Sequence, residues 1–134
     1  MASILVIEDN PANMKLASLL IRSAGHRVLG ATDAEAGLLL ARADPPDLIL
    51  MDIQLPGMDG LAATAMLKQD PLTVAIPVIA LTAMAMKEDQ EKSRLAGCDA
   101  YISKPLRYLE LYTVIDRLLA KRTLPALHAK TPVD

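Results

Sequence analysis

The chain has 134 residues, which suits one domain of ordinary size, and a formal net charge of −2. Hydrophobic residues make up 52% of it and charged residues 22%, which excludes a chain that is disordered throughout. It has three Tyr, no Trp, no Phe and no excess of basic residues, so we expect no nucleic-acid binding. The longest nearly apolar run, residues 76–86, is too short to span a membrane. With no signal-peptide pattern and only Cys98 as cysteine, we expect a soluble cytoplasmic protein without disulfides.

Five apolar runs predict β-strands, and the first, third and fourth are continuous rather than alternating in polarity. Continuous runs are typical of strands that are buried on both faces, as in a parallel sheet covered by helices. The predicted strands are residues 4–7, 27–31, 48–51, 78–81 and 100–102.

Helical patterns separate these runs. Asn10 as N-cap and Pro11 as first residue predict a helix that ends near Ala24. Thr32 and Glu35 predict a capping box for the second helix, which ends before Pro45. The third helix is predicted over residues 59–70.

The last two predicted helices differ in their apolar content. Residues 87–94 contain no apolar side chain, so only Leu95 and Ala96 are expected to anchor the fourth helix. The fifth helix is predicted over residues 107–121, with a buried stripe at Leu109, Tyr112, Ile115 and Leu119.

Five strand–helix repeats predict an α/β fold with a doubly wound parallel sheet. In such folds a ligand binds beyond the carboxyl ends of the strands. We expect one domain over residues 1–121. Residues 122–134 contain two prolines and no periodicity, so we expect them to form a flexible tail without a further domain.

Polar residues follow four of the predicted strands at this same edge. Glu8 and Asp9 follow the first strand, Asp52 the third, Thr82 the fourth and Lys104 the fifth. Each has an ordinary explanation as a turn former, helix cap or solvated side chain, but their common location points to a site. Carboxylates about 4 Å apart repel each other by about 4 kcal/mol per pair at an effective dielectric constant of about 20. A hard divalent cation such as Mg²⁺ relieves that repulsion, and a carboxylate beside it is placed to attack a phosphoryl group.

Four motifs carry a resemblance to a known family: VIEDN (6–10), DLILMDIQLPGMDG (47–60), IPVIALTA (76–83) and GCDAYISKP (97–105). With them the chain resembles a receiver domain of bacterial two-component response regulators from about residue 3 to residue 121. The resemblance implies a flavodoxin-like sheet with strand order 2-1-3-4-5 and five helices. The stretch from Met51 to Asp59, together with TAMAMKEDQ (82–90) and GCDAYISKPL (97–106), is similar to single-domain regulators of the alphaproteobacterial cell-cycle and polarity type. Receivers attached to hybrid histidine kinases have similar stretches.

The resemblance also implies which residues hold the metal ion and accept the phosphoryl group. Asp52 matches the phosphoacceptor of the family. Glu8 and Asp9 match the acidic pair that holds Mg²⁺ together with Asp52, and the backbone carbonyl of Gln54 matches a further ligand.

Further matches concern phosphate binding and switching. Thr82, the backbone N–H of Ala83 and Lys104 match the groups that contact the phosphoryl oxygens. Tyr101 matches the aromatic switch residue, although a half-buried tyrosine on an edge strand is an ordinary alternative. Pro105 matches a position that usually follows a cis peptide bond.

The function implied is a switch that a histidine kinase or a histidine phosphotransfer protein phosphorylates, and not an enzyme acting on other substrates. A downstream protein is expected to bind the fourth helix, fifth strand and fifth helix of a monomer or weak dimer, with no membrane contact. A phosphorelay module that passes the group onward and a phosphorylation-independent pseudo-receiver are the open alternatives.

Two other classes of protein fit less well. An aspartyl phosphohydrolase typically has a second Asp where this chain has Gln54. A flavodoxin would need aromatic residues around its flavin, and the acidic pair Glu8 and Asp9 would repel the flavin phosphate.

Overall fold

A five-stranded parallel sheet forms the centre of the molecule, with strands in the order β2-β1-β3-β4-β5. The structure, a computed structural model, describes residues 1–83 and 87–130. The strands are β1 Ser3–Ile7, β2 Arg27–Ala31, β3 Leu48–Asp52, β4 Val78–Thr82 and β5 Ala100–Ser103. The helices are α1 Pro11–Ser23, α2 Ala34–Ala43, α3 Gly60–Gln69, α4 Lys87–Ala96 and α5 Tyr108–Lys130. The predicted fold class and strand order are confirmed.

The sheet is buried on both faces, which explains why its central strands are apolar without alternation. Ile4 and Val6 of β1 pack with α1 and α5 on one face. Leu5 and Ile7 point the other way and pack with α2 and α3. Every residue of β3 and β4 is buried. Both faces of these strands therefore contribute to hydrophobic cores.

Three helices begin at the carboxyl edge of the sheet with an Asx N-cap. The side chains of Asn10, Asp33 and Asp59 accept hydrogen bonds from the backbone N–H three residues later, at 2.7–3.0 Å. The N-cap of α1 is as predicted. The prediction of Thr32 as the cap of α2 is wrong, because the first helical residue is Ala34 and its predecessor is Asp33.

The buried face of α5 differs from the prediction. Ile115 is buried as predicted and Leu119 packs against the core, but the other core residues are Leu111 and Leu118, and Leu109 is 66% exposed. The helix carries apolar residues on two neighbouring stripes, and the packing against α1 decides which one is buried. The hydroxyl of Tyr112 donates a 2.7 Å hydrogen bond to the carbonyl of Leu20 in α1, so this side of α5 faces α1.

The attachment of α4 also differs from the prediction. Leu95 is 71% exposed, whereas Ser93 is the buried residue of the helix. Burial of the Ser93 hydroxyl is tolerated because it donates a 2.9 Å hydrogen bond to the carbonyl of Asp89.

The fifth helix continues beyond its predicted end at residue 121, as far as Lys130. The sequence of residues 122–130 shows no apolar periodicity and contains Pro125, so no local pattern predicts this continuation of the helix. The domain boundary at residue 121 stays a prediction, and residues 131–134 of the predicted tail lie outside the described residues. Within the described ranges, no helix is both long and apolar enough to cross a bilayer.

Candidate functional site

Three carboxylates meet at the carboxyl edge of the sheet. Strands β1 and β3 are neighbours with Ile7 opposite Met51, so the residues that follow, Glu8 and Asp52, lie side by side. With Asp9, they offer carboxylate oxygens that all lie within 4.8 Å of one another. Glu8 and Asp52 are buried, at 1% and 2% exposure, whereas Asp9 is exposed. The cluster is therefore open to solvent on one side.

The side chain of Lys104, which directly follows strand β5, extends into this carboxylate cluster. The ammonium nitrogen of Lys104 lies 3.0 Å from Asp52 Oδ2 and 3.5 Å from Glu8 Oε1. Its backbone N–H donates a 2.6 Å hydrogen bond to the carbonyl of Thr82, and the Lys104–Pro105 peptide bond is cis. The cation therefore faces two of the three carboxylates.

The Asp52 side chain is held on its other oxygen by the backbone. The N–H of Gln54 donates a 2.9 Å hydrogen bond to Asp52 Oδ1. Gly60 donates its N–H to the carbonyl of Ile53 at 2.8 Å, and a Cβ at this position would lie 2.2 Å from the backbone oxygen of Asp52. Only glycine lets α3 approach so closely. The sequence analysis did not predict this role for Gly60. The signal that could have indicated it is a glycine directly after Asp59, the N-cap residue of α3.

The burial of Glu8 makes its charge costly without a counter-ion. Its pKa is raised to about 7, chiefly by burial and further by contact with the Asp52 carboxyl, although the Asn10 N–H, 3.1 Å from Oε2, and the Lys104 charge act to lower it. Lys104 loses hydration, which lowers its pKa, but the bond to Asp52 and the charges of both carboxylates outweigh this and raise it. Among the described residues, the buried Glu8 Oε1 accepts no hydrogen bond of normal geometry, and its contact with the Lys104 ammonium is long, at 3.5 Å.

These observations fit a divalent cation bound by oxygen ligands. A buried carboxylate oxygen whose contact with a cation is long, close to two further carboxylates, is the arrangement that a hard cation stabilises. The exposed Asp9 leaves one side of the cluster open, as a cation that keeps several water molecules requires.

Thr82 and Tyr101 form a second polar contact beside the cluster. Thr82 ends β4 and is 3% exposed, and its side chain is hydrogen-bonded to that of Tyr101 on β5. Burial raises the pKa of Tyr101, the nearby Asp89 carboxylate raises it further, and the Thr82 bond partly offsets both. Ala83 follows Thr82 and is exposed. The structure thus brings the predicted site residues together at one edge.

The sequence profile of the response regulator receiver domain family matches residues 4–116. This range covers most of the chain and includes every residue of the site. The chain belongs to the response regulator receiver domain family. It is therefore a module of two-component signalling, and the predicted family resemblance is confirmed.

The receiver domain is similar to curated and solved members of the family. It is 50% identical over 111 residues to the polar-differentiation response regulator DivK of Brucella anthropi, which covers 81% of this chain and 90% of that protein. This supports the predicted similarity to alphaproteobacterial polarity regulators.

Solved structures show the same fold. The receiver domain of the Pseudomonas aeruginosa sensor histidine kinase PA1611, with a magnesium ion coordinated in its active-site cleft, has a TM-score of 0.83 and 35% identity, covering 89% of this chain and 98% of that one. A putative response regulator from Chloroflexus aurantiacus has a TM-score of 0.86 and 29% identity over the same shares.

Proposed function

We propose that this receiver domain accepts a phosphoryl group on the Asp52 carboxylate and thereby switches its affinity for a protein partner. The observation that carries the proposal is the environment of Asp52. One oxygen is fixed by the Gln54 N–H, the other faces Lys104, and two further carboxylates lie within 4.8 Å. A nucleophile, a cation and a set of metal ligands therefore meet at one buried position.

The metal site consists of Glu8, Asp9 and Asp52, with the backbone carbonyl of Gln54 as a further ligand. Mg²⁺ bound there supplies positive charge that offsets the negative charge of the carboxylates and of an incoming phosphoryl group. The magnesium in the similar PA1611 receiver domain supports this choice of ion. In this chain the buried Glu8 Oε1, which has only the long 3.5 Å contact with Lys104 and no hydrogen bond among the described residues, supports a bound cation independently.

Phosphoryl transfer forms a bond between an Asp52 carboxylate oxygen and phosphorus and breaks the bond to the leaving group of the donor. Lys104, which lies 3.0 Å from Asp52, would neutralise charge on the phosphoryl oxygens, and we propose that the Thr82 hydroxyl and the Ala83 N–H donate to them. The donor is a histidine kinase or a histidine phosphotransfer protein, as for the family.

The signal leaves the site through Thr82. As the Thr82 side chain turns towards a phosphoryl oxygen, it exchanges its present contact with Tyr101 for one with the phosphoryl group. Tyr101 lies on β5, next to α4, so its release changes the surface made by α4, β5 and α5. We propose this surface as the binding site for the downstream protein.

The similarity to DivK supports a role as a regulator that acts through such contacts. The alignment spans 90% of that relative, so the relative contains little besides a receiver domain.

The decisive experiment is phosphorylation of the intact protein by acetyl phosphate with Mg²⁺, followed by mass spectrometry. We expect one added phosphate, which the Asp52→Asn variant should lose because an amide is not a nucleophile. Asp33→Asn is the matched control, since Asp33 lies at the same edge and Asn caps a helix equally well. Equal labelling of Asp52→Asn would refute the assignment, and absence of labelling in wild type would favour a pseudo-receiver.

A further inference from the structure

The two ends of α4 are attached to the rest of the domain in different ways. In its first turn, Lys87, Glu88 and Gln90 are exposed and Asp89 is half-buried. This end lies beside the site at the carboxyl edge of the sheet. The C-terminal end of α4 lies near the amino-terminal ends of the strands, close to the start of β5, and several hydrogen bonds attach it there.

The C-terminal end of α4 closes with a hydrogen-bonded cap. The N–H of Gly97 donates to the carbonyl of Arg94, and the N–H of Cys98 donates to the carbonyl of Ser93, both at 3.0 Å. Gly97 has a φ of +105°, which a side chain would disfavour. This pair of bonds is the Schellman arrangement, and it directs the chain from the helix towards Asp99.

Asp99 then joins this end of α4 to β4. Its N–H donates to the carbonyl of Val78 at 2.8 Å, and its Oδ2 accepts from the N–H of Val78 at 2.8 Å. The first residue of β4 is therefore bonded to Asp99 in both directions.

Lys68, from the last turn of α3, completes the attachment. Its ammonium group lies 3.0 Å from Asp99 Oδ2 and donates a 2.8 Å hydrogen bond to the carbonyl of Ile76. Its aliphatic stem passes against Gly97, where a Cβ would lie 2.7 Å from Lys68 Cγ. Lys68 is only 20% exposed, so solvent screens these contacts incompletely. One side chain thus ties α3, the segment before β4 and the end of α4 together.

We propose that Lys68 and Asp99 act as positioning residues that clamp the C-terminal end of α4, so that α4 signals by tilting its first turn about this fixed end. A movement of Thr82 acts at the first turn of α4, whose side chains at residues 87, 88 and 90 are exposed, and the clamp converts it into a rotation of α4 rather than a displacement of the whole helix. The tilt presupposes the signalling function proposed above, whereas the clamp itself exists in the unphosphorylated protein.

The clamp is tested first without any phosphoryl group, by amide hydrogen exchange. Lys68→Met keeps an aliphatic stem against Gly97 but removes the ammonium group. Because bonds to a charged group are lost, we expect exchange at residues 97–99 to become about ten-fold faster or more. Arg42→Met is the matched control, since it breaks a 2.8 Å pair with Asp70, the residue that follows α3, without touching α4. Unchanged exchange at residues 97–99 in Lys68→Met would overturn the clamp.

The tilt is tested by adding beryllofluoride, a phosphoryl mimic, with Mg²⁺. In wild type and in Arg42→Met we expect altered exchange at residues 91–93, whose N–H groups bond the carbonyls of the first turn of α4, and none at residues 97–99. In Lys68→Met the alteration should spread to residues 97–99. Equal changes at both ends of α4 in wild type would refute the tilt.

A second variant and a control on phosphorylation distinguish failure of the clamp from failure of the proposed function. Should Lys68→Met fail to fold, Asp99→Asn serves instead, because its amide oxygen still accepts from Val78 while the charge facing Lys68 is gone. If beryllofluoride changes nothing even in the loop after Asp52, and acetyl phosphate does not label Asp52, the proposed function fails. The exchange of unmodified Lys68→Met still decides the clamp in that case.

Discussion

Removing the charge of Lys104 should destabilise the domain when no metal ion is bound. Lys104→Met keeps most of the side-chain volume but leaves the buried carboxylates of Glu8 and Asp52 without their cation. At the observed 3.0 Å from Asp52, the gross attraction is about 5 kcal/mol at an effective dielectric constant of about 20. The 3.5 Å contact with Glu8 adds a smaller amount.

The net loss should be smaller than this gross attraction. The ammonium group has itself lost hydration, and breaking a buried ion pair costs about 3–5 kcal/mol. Glu8, whose pKa is raised to about 7, can take up a proton and relieve part of the remaining repulsion. We therefore expect the free energy of unfolding to fall by about 2–3 kcal/mol. Saturating Mg²⁺ should recover much of this loss, because a second cation then faces the same carboxylates.

Urea unfolding followed by circular dichroism, in EDTA and in Mg²⁺, measures both effects. Lys92→Met, which removes an exposed lysine on α4, is the control and should change stability by less than about 0.5 kcal/mol. Combining Lys104→Met with Asp52→Asn should cost less than the sum of the two variants, because the amide no longer needs the cation. If Lys104→Met matches the control in EDTA, or keeps its whole deficit in Mg²⁺, the account of this cluster is wrong.

Three further predictions concern the metal ligands, the switch and the cysteine. Asp9→Asn should lose Mg²⁺ binding, measured by calorimetry, yet be at least as stable in EDTA, because one repelling charge is gone; a clearly lower unfolding midpoint would contradict this. Thr82→Ala should still be phosphorylated on acetyl phosphate treatment but should lose most of the roughly 5–150-fold change in partner affinity typical of such switches. Tyr101→Phe should lose part of that change, and an unchanged affinity ratio in both variants would exclude the proposed route. Cys98, whose thiol pKa is raised by burial, should react with maleimide much more slowly in the folded protein than in urea, and equal rates would contradict its burial.

Much of this molecule is predictable from the sequence because the signals are local. Continuous apolar runs predict buried strands, and five strand–helix repeats leave a parallel doubly wound sheet as the simple solution. Parallel strands place their carboxyl ends at one edge, so Glu8, Asp9 and Asp52 must converge there. The N-cap of α1 at Asn10 follows from the Asn-Pro pair alone.

Tertiary structure decided the choices between equivalent local patterns. Thr32 and Asp33 both qualify as N-caps, and only the start of α2 against the sheet selects Asp33. Helix α5 carries two apolar stripes, and packing against α1 buries Leu111 while leaving Leu109 exposed.

Long-range contacts were equally out of reach of the sequence pattern. Lys68 and Asp99 are 31 residues apart in the chain and no local pattern links them, yet they meet at 3.0 Å. The close approach of α3 to Asp52, which only Gly60 permits, depends in the same way on two elements whose distance no local pattern encodes. Periodicity specifies which side chains share a face of an element, but the partner that covers that face is set by the packing of the whole chain.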